Sequence, residues 1–241
     1  MVSRLLPIRP TRKRSFASRL GCWAGSALLA FALTTLAFTV LYKVVPVPIT
    51  WTMIVDPHGI TKSWTPLTRI DRAMVDAVIA GEDGRFCSHN GFDRAAIHQA
   101  LARNSQGQRL RGGSTISQQT AKNVFLWQGT GWSRYLRKAM EVWFTFLIEE
   151  VWGKRRIVEV YLNVAETGIG TYGAEAAAER YYGHSAARLT RVEAARIAAA
   201  LPSPKHRDVI EPTGFTRRHG NAIAARSSVV REDALDGCVY D

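Results

Sequence analysis

Side chains able to do chemistry gather in a few short stretches of this chain. Glu82 and Asp83 follow the apolar series Ile70, Ala73, Met74, Ala77 and Val78. That i,i+3,i+4,i+7,i+8 spacing predicts a helix running to about Gly81, opened by a weak capping box of Thr68 and Asp71. A carboxylate at a helix C-terminus meets the negative end of the macrodipole and holds its proton more tightly, which suits a general base working near neutral pH. Solvated acids at a helix end are the plainer reading of the same pair. Further on, GGSTISQQTAKN marks a turn and an N-cap, so Ser114, Gln118 and Lys122 share one helix face at i,i+4,i+8. A hydroxyl, an amide and an ammonium near a helix N-terminus suit a diphosphate or a sugar; an ordinary capped surface helix is the alternative. A third group, Arg134, Arg137, Lys138, Glu141 and Thr145, forms a charged stripe on an otherwise apolar helix.

That helix, SRYLRKAMEVWFTFLIEEVWG (133–153), contains no proline and ends at a glycine suited to a C-cap. With Leu136, Met140, Val142, Trp143, Phe144, Phe146, Leu147, Ile148 and Val151 around most of its circumference, it is expected in the middle of a domain, its charged stripe facing a partner or an internal cleft. Exposed ion pairs between Glu141 and the basic residues a turn before it would explain the stripe equally well. The elements around it read as helices over 94–103 and 174–182, a polar loop over 104–111, and KRRIVEVYLN (154–163) with Ile157, Val160, Tyr161 and Val164 on one side. Thr190 and Glu193 box the start of a last helix that Pro202 and Pro204 halt; from His206 the tail is polar, without clear periodicity, and is expected to be only partly ordered.

At the other end, CWAGSALLAFALTTLAFTVLY (22–42) is uncharged and matches the roughly 20 residues needed to cross a bilayer core. Arg4, Arg9, Arg12, Lys13, Arg14 and Arg19 precede it and only Lys43 follows closely, which orients the N-terminus to the cytoplasm. A signal peptide would have a shorter apolar region and a small-residue cleavage site, so an uncleaved single-pass anchor is expected. The domains expected are a basic N-terminus (1–19), a transmembrane anchor (20–42), a Pro-rich stem (43–66) that lifts the following domain from the membrane, one catalytic domain (67–205) and the tail (206–241). The 241 residues leave no room for a second enzyme domain, and the net charge of +12 asks for an anionic partner. Cys22, Cys87 and Cys238 form no metal-ligand spacing; a Cys87–Cys238 bond is open to an oxidising compartment but is not readable from spacing. No GxxxxGK[ST] is present, so P-loop nucleotide binding is unsupported.

Several stretches together, EDGRFCSHNGFD (82–93), GGSTISQQTAKN (112–123), RKAME (137–141), KRRIVEVYLN (154–163) and the Gly/Ala stretch ending ERYYG (179–183), resemble the monofunctional biosynthetic peptidoglycan glycosyltransferases, relatives of the glycosyltransferase domain of class A penicillin-binding proteins. The resemblance covers most of 67–204. It implies a mainly α, lysozyme-like domain beside the inner membrane, on its periplasmic side, that polymerises lipid II into β-1,4-linked glycan strands. By the same resemblance Glu82 is the catalytic base for the acceptor 4-hydroxyl, and Glu141 is the second carboxylate, on the donor side. Lys122, Arg137 and Lys138 stabilise the departing diphosphate, and Ser114 and Gln118 contact the donor-side ligand. The family usually has an Arg in a shorter loop before the third block; here the loop reads QGTGWSRYLRK, and Arg134 stands in for that cation. A divalent cation (Mg²⁺ or Mn²⁺) at the diphosphate is associated with such chemistry, though no dedicated metal cage is visible. Lipid II, the growing strand, the membrane, and cell-division or cell-wall synthesis proteins are the implied partners. A nucleic-acid partner does not suit a domain outside the cytoplasm.

Two other functions compete. A membrane-bound lytic glycosidase would keep the fold but would not need the cationic cluster, and a non-catalytic assembly factor would not need both Glu82 and Glu141. No SxxK or KTG occurs, so a penicillin-sensitive transpeptidase is not expected within this chain.

Overall fold

The computed structural model describes residues 16–105 and 113–240. Arg4, Arg9, Arg12, Lys13 and Arg14 of the basic N-terminus, and most of the predicted 104–111 loop, lie outside the described residues. The chain divides into two units, one ending at Phe38 and one beginning at Thr39. Helix α1 (Phe16–Val44) contains a stretch, Ser18–Val44, of 27 residues that is long and apolar enough to cross a membrane.

In the second unit, short helix α2 (Trp51–Ile54) and strand β1 (Thr61–Lys62) lead to α3 (Arg72–Glu82) and α4 (Arg94–Ser105). Then come α5 (Ile116–Phe125), α6 (Ser133–Trp152) and α7 (Lys154–Val164). Strands β2 (Glu166–Gly168) and β3 (Thr171–Tyr172) precede α8 (Ala174–Tyr182), α9 (Arg191–Ala200), α10 (Gly214–Glu232) and α11 (Gly237–Tyr240). The small sheet has the order β1-β3-β2, with β1 parallel and β2 antiparallel to β3.

The helix buried on all sides is α3, not α6. Every residue from Ala73 to Ala80 is buried, and α3 packs against α9 and α10, while α5 packs against α6 and α7. Small residues make the closeness possible: Ala194, Ala195, Ala198 and Ala199 of α9 are all buried. Asp71, rather than Thr68, caps α3, its side chain accepting from Ala73 N at 2.8 Å. On α6, Phe144, Leu147, Ile148 and Trp152 enter the core. Trp132, Tyr135, Leu136, Val142 and Phe146 remain exposed, so the expected position at the centre of the domain is corrected. Helix α6 has three faces, one apolar and packed, one charged, and one apolar and open.

Two further expectations are corrected. The Pro-rich stretch is woven into the folded unit: Val47 and Met53 are in the core, and β1 pairs with β3. Asn163 brackets Thr65 by accepting from its N–H at 2.7 Å and donating to its carbonyl at 2.9 Å. The tail after His206, expected to be only partly ordered, forms α10 and α11. The buried face of α10 is Gly220, Ile223, Ser227 and Val230, a regular helical spacing in which a glycine and a serine hide the apolar signal. A Cβ on Gly220 would stand 3.7 Å from that of Ala199, an ordinary contact distance, so this position faces α9 directly.

Candidate active site

The end of α3 separates its two acids. Asp83 turns inward, 5% exposed, accepting from Ile116 N at 3.0 Å and from His89 Nε2 at 2.9 Å. It therefore ties the 82–93 loop to the first turn of α5 and is structural. The same loop is held by Arg85 on Asp93, by Lys154 Nζ on the His89 carbonyl at 2.6 Å, and by Thr115 Oγ1 on the Gly91 carbonyl at 2.6 Å. Gly91 has φ +82°, and a Cβ there would fall 2.7 Å from Thr145 Cγ2 of α6, so only glycine lets loop and helix meet.

Glu82 faces the other way, into a cavity of about 260 Å³. Ser114, Gln118, Gln119, Lys122, Arg137, Lys138, Glu141 and Pro202 line the rest. Of the predicted site residues, Arg134 alone is not among the lining residues; it is exposed on the first turn of α6, its guanidinium 5.4 Å from the Tyr135 ring. The predicted face of α5 is real, because Thr115 caps it in a full capping box with Gln118. Gln118 is consequently committed: its Oε1 accepts from Thr115 N at 3.1 Å.

On α6 the expected ion pairs form, but they face the cavity with Glu141 buried rather than lying on an exposed turn. Arg137 Nη1 reaches Glu141 Oε2 at 2.9 Å and Lys138 pairs with the other oxygen, while all three side chains face the cavity. Glu141 is 3% exposed. Among the described residues Glu82 has no such ion pair; Gln119 Nε2 donates to its Oε2 at 2.8 Å. Burial pushes the Glu82 carboxyl above the usual range, against the Gln119 hydrogen bond and the fields of Arg207 and Lys122, with Asp83 adding to the rise. Burial and the neighbouring Arg137 and Lys138 lower the Lys122 ammonium, and Glu141 opposes them. The arrangement is a proton acceptor and a cluster of cations lining one cavity. It can deprotonate a hydroxyl and hold an anionic leaving group a short way off.

Gln119, Pro202 and Arg207 were missed in the sequence. The doubled Gln of SQQT was the available signal for Gln119; Arg207 was hidden by its assignment to the tail. A second cavity of about 250 Å³ adjoins the first, sharing Gln119, Lys122 and Pro202, with Asn123, Tyr161, Glu166 and Tyr172 among its other walls.

The donor set does not fit a resident divalent ion. Glu141 is already ion-paired twice, and the remaining lining beyond Glu82 is cationic or neutral. A tighter group, Asp83, His89 and Asp93, has its carboxylates engaged by Ile116 N, His89 and Arg85.

Residues 51–230 match the model of the transglycosylase family. The chain belongs to that family. This transglycosylase is 49% identical over 203 residues to the biosynthetic peptidoglycan transglycosylase of Caulobacter vibrioides, covering 83% of this chain and 87% of that protein. It is 46% identical over 220 residues to the protein of the same name from Rhodospirillum centenum, covering 90% and 94%. The match to Bdellovibrio bacteriovorus is 42% over 228 residues, covering 91% and 90%. The expected lysozyme-like, mainly helical transglycosylase domain is thus the fold of the chain, and the matched region includes most of α10, beyond the boundary drawn at 205.

Proposed function

We propose that the chain polymerises lipid II into peptidoglycan strands by inverting transfer. The Glu82 carboxylate takes the proton of the acceptor's 4-hydroxyl, and that oxygen attacks the anomeric carbon of the lipid-linked donor chain. The C–O bond to the diphosphate breaks, its electron pair leaving with the lipid diphosphate. Attack opposite an α-linked diphosphate gives a β-1,4 link, by the two-carboxylate logic of inverting sugar chemistry with a sugar hydroxyl in place of water. Lys122, Arg137 and Lys138 stabilise the charge that develops on the leaving group. Glu141 holds Arg137 and Lys138 in place on the donor side. The observation that carries this reading is the presence of an amide-held Glu82 and a cluster of cations in the lining of one cavity.

The membrane placement belongs to the same proposal: N-terminus in the cytoplasm, α1 across the inner membrane, domain in the periplasm. The Cys87–Cys238 disulfide supports an oxidising compartment, and the open apolar face of α6 suits contact with lipid. Confinement to the plane of a lipid-linked substrate raises its effective concentration. Proteins of cell-wall synthesis or division would position the enzyme there.

The test incubates the detergent-solubilised full chain with labelled lipid II and, in parallel, with preformed soluble glycan, and sizes the products on a gel. Lysozyme-sensitive polymer without breakdown of the glycan is expected. Shortened glycan without polymer would replace this reading with a lytic one.

A further inference from the structure

We propose that Gln119 and Tyr161 are positioning residues that fix which oxygen of Glu82 receives the acceptor's proton. The proposal rests on Glu82 being the base. A carboxylate can only accept hydrogen bonds, so Gln119 must present its Nε2 to it, as it does at 2.8 Å from Oε2. Its Oε1 then turns toward Tyr161, whose hydroxyl donates to it at 3.3 Å. Tyr161 lies on α7 and is 1% exposed, and burial, with the nearby charges of Glu82 and Asp83, keeps its hydroxyl protonated and able to donate. The reverse amide orientation would set Gln119 Oε1 against a carboxylate oxygen.

The relay therefore runs from a fixed phenol on α7, through an amide on α5, to a carboxylate at the end of α3. It ties down Oε2 and leaves Oε1 as the oxygen that faces the acceptor. In the transfer the proton passes from the acceptor's 4-hydroxyl to Oε1, and the amide need not move. The other charges that bear on Glu82 are Arg207 after α9, Lys122 on α5 and the adjoining Asp83. None of them is paired with Glu82 in a salt bridge among the described residues.

The test measures kcat/KM for lipid II polymerisation against pH, with the full chain and the variants Tyr161→Phe, Gln119→Met and Glu82→Gln, alongside Tm. Tyr161→Phe keeps the ring and removes only the hydroxyl. Loss of a hydrogen bond to a charged group predicts about a tenfold fall near pH 6.5 for Gln119→Met and about threefold for Tyr161→Phe. In both the acid limb moves to higher pH, and much of the activity returns above pH 8. A fall of equal size at every pH, or a lower Tm with the acid limb unmoved, would overturn the relay and leave Glu82 as base, provided that Glu82→Gln is inactive throughout. Activity in Glu82→Gln would instead remove the base assignment and the relay with it.

Discussion

The two ends of α3 use the same kinds of side chain to opposite purposes. In its first half, Arg72 grips Asp236 through Nε at 2.7 Å and Nη2 at 2.9 Å. One turn later Asp76 accepts from Arg231 Nε at 2.9 Å. Both pairs tie α3 to the C-terminal segment, and each carboxylate has its guanidinium. In the last turn Glu82 has an amide instead of a guanidinium and faces a cavity whose lining includes Lys122, Arg137 and Lys138. Charge closed on a partner fastens the fold; a carboxylate not paired with the cations that share its cavity is free to do chemistry. The distance between these two arrangements is only two helical turns.

The sharpest way to break that contrast is at Glu82. Glu82→Gln keeps the size and the hydrogen-bonding capacity of the side chain and removes its basicity. Polymerisation should fall by about 10²–10⁴-fold, the usual contribution of a general base, while binding of lipid II is retained. Turnover of labelled lipid II equal to that of the parent chain would end the assignment. The pH dependence has a definite sign. The base works deprotonated, and burial holds its proton above the ordinary carboxylate range, so activity falls with acidification at a pH higher than an exposed glutamate would give.

Among the cations of the cavity, Lys122→Met removes a charge and keeps the stem. Stabilisation of charge on a leaving group in a sheltered site is worth about 10²–10³-fold, and the loss should fall on kcat more than on KM. A rise in KM with kcat unchanged, read from initial rates against lipid II concentration, would make Lys122 a binding residue only.

Much of this division was legible in the sequence. The spacing of Ser114, Gln118 and Lys122 and the stripe of Arg137, Lys138 and Glu141 placed those side chains on one cavity, because helical periodicity alone decides which residues share a face. Arg134 belongs to the same stripe but sits in the first, exposed turn of α6, outside the cavity lining. Periodicity alone could not tell Glu82 from Asp83, and only the family resemblance singled out Glu82, since which acid faces inward depends on the nearby His89 and on Ile116 N, which is distant in sequence from the end of α3. The order of the C-terminal segment was hidden because α10 packs through Gly220 and Ser227, residues that a hydropathy pattern counts as breaks. Tertiary contact, in these cases, overrode local pattern.

The smallest effect on activity is expected at the far end of the closed region, where Cys87 joins Cys238 across 151 residues of chain. The bond fastens the short helical turn at Phe86–Ser88 to α11, beside Asp236 and its pair with Arg72. Replacing both cysteines with serine, which avoids a lone thiol, should lower stability by about 2–4 kcal/mol, chiefly by freeing the unfolded chain. Activity at moderate temperature should stay within about twofold, because Glu82 takes its position from Gln119, Asp83 from Ile116 N and the loop from Lys154, none of which the bond supplies. Urea midpoints and lipid II turnover on the same preparation decide the matter. Lower stability with unchanged turnover keeps the two ends of α3 independent. Lower turnover at unchanged stability would mean that the C-terminal fastening reaches through Phe86 into the cavity, and the contrast between a closed end and an open end would fail.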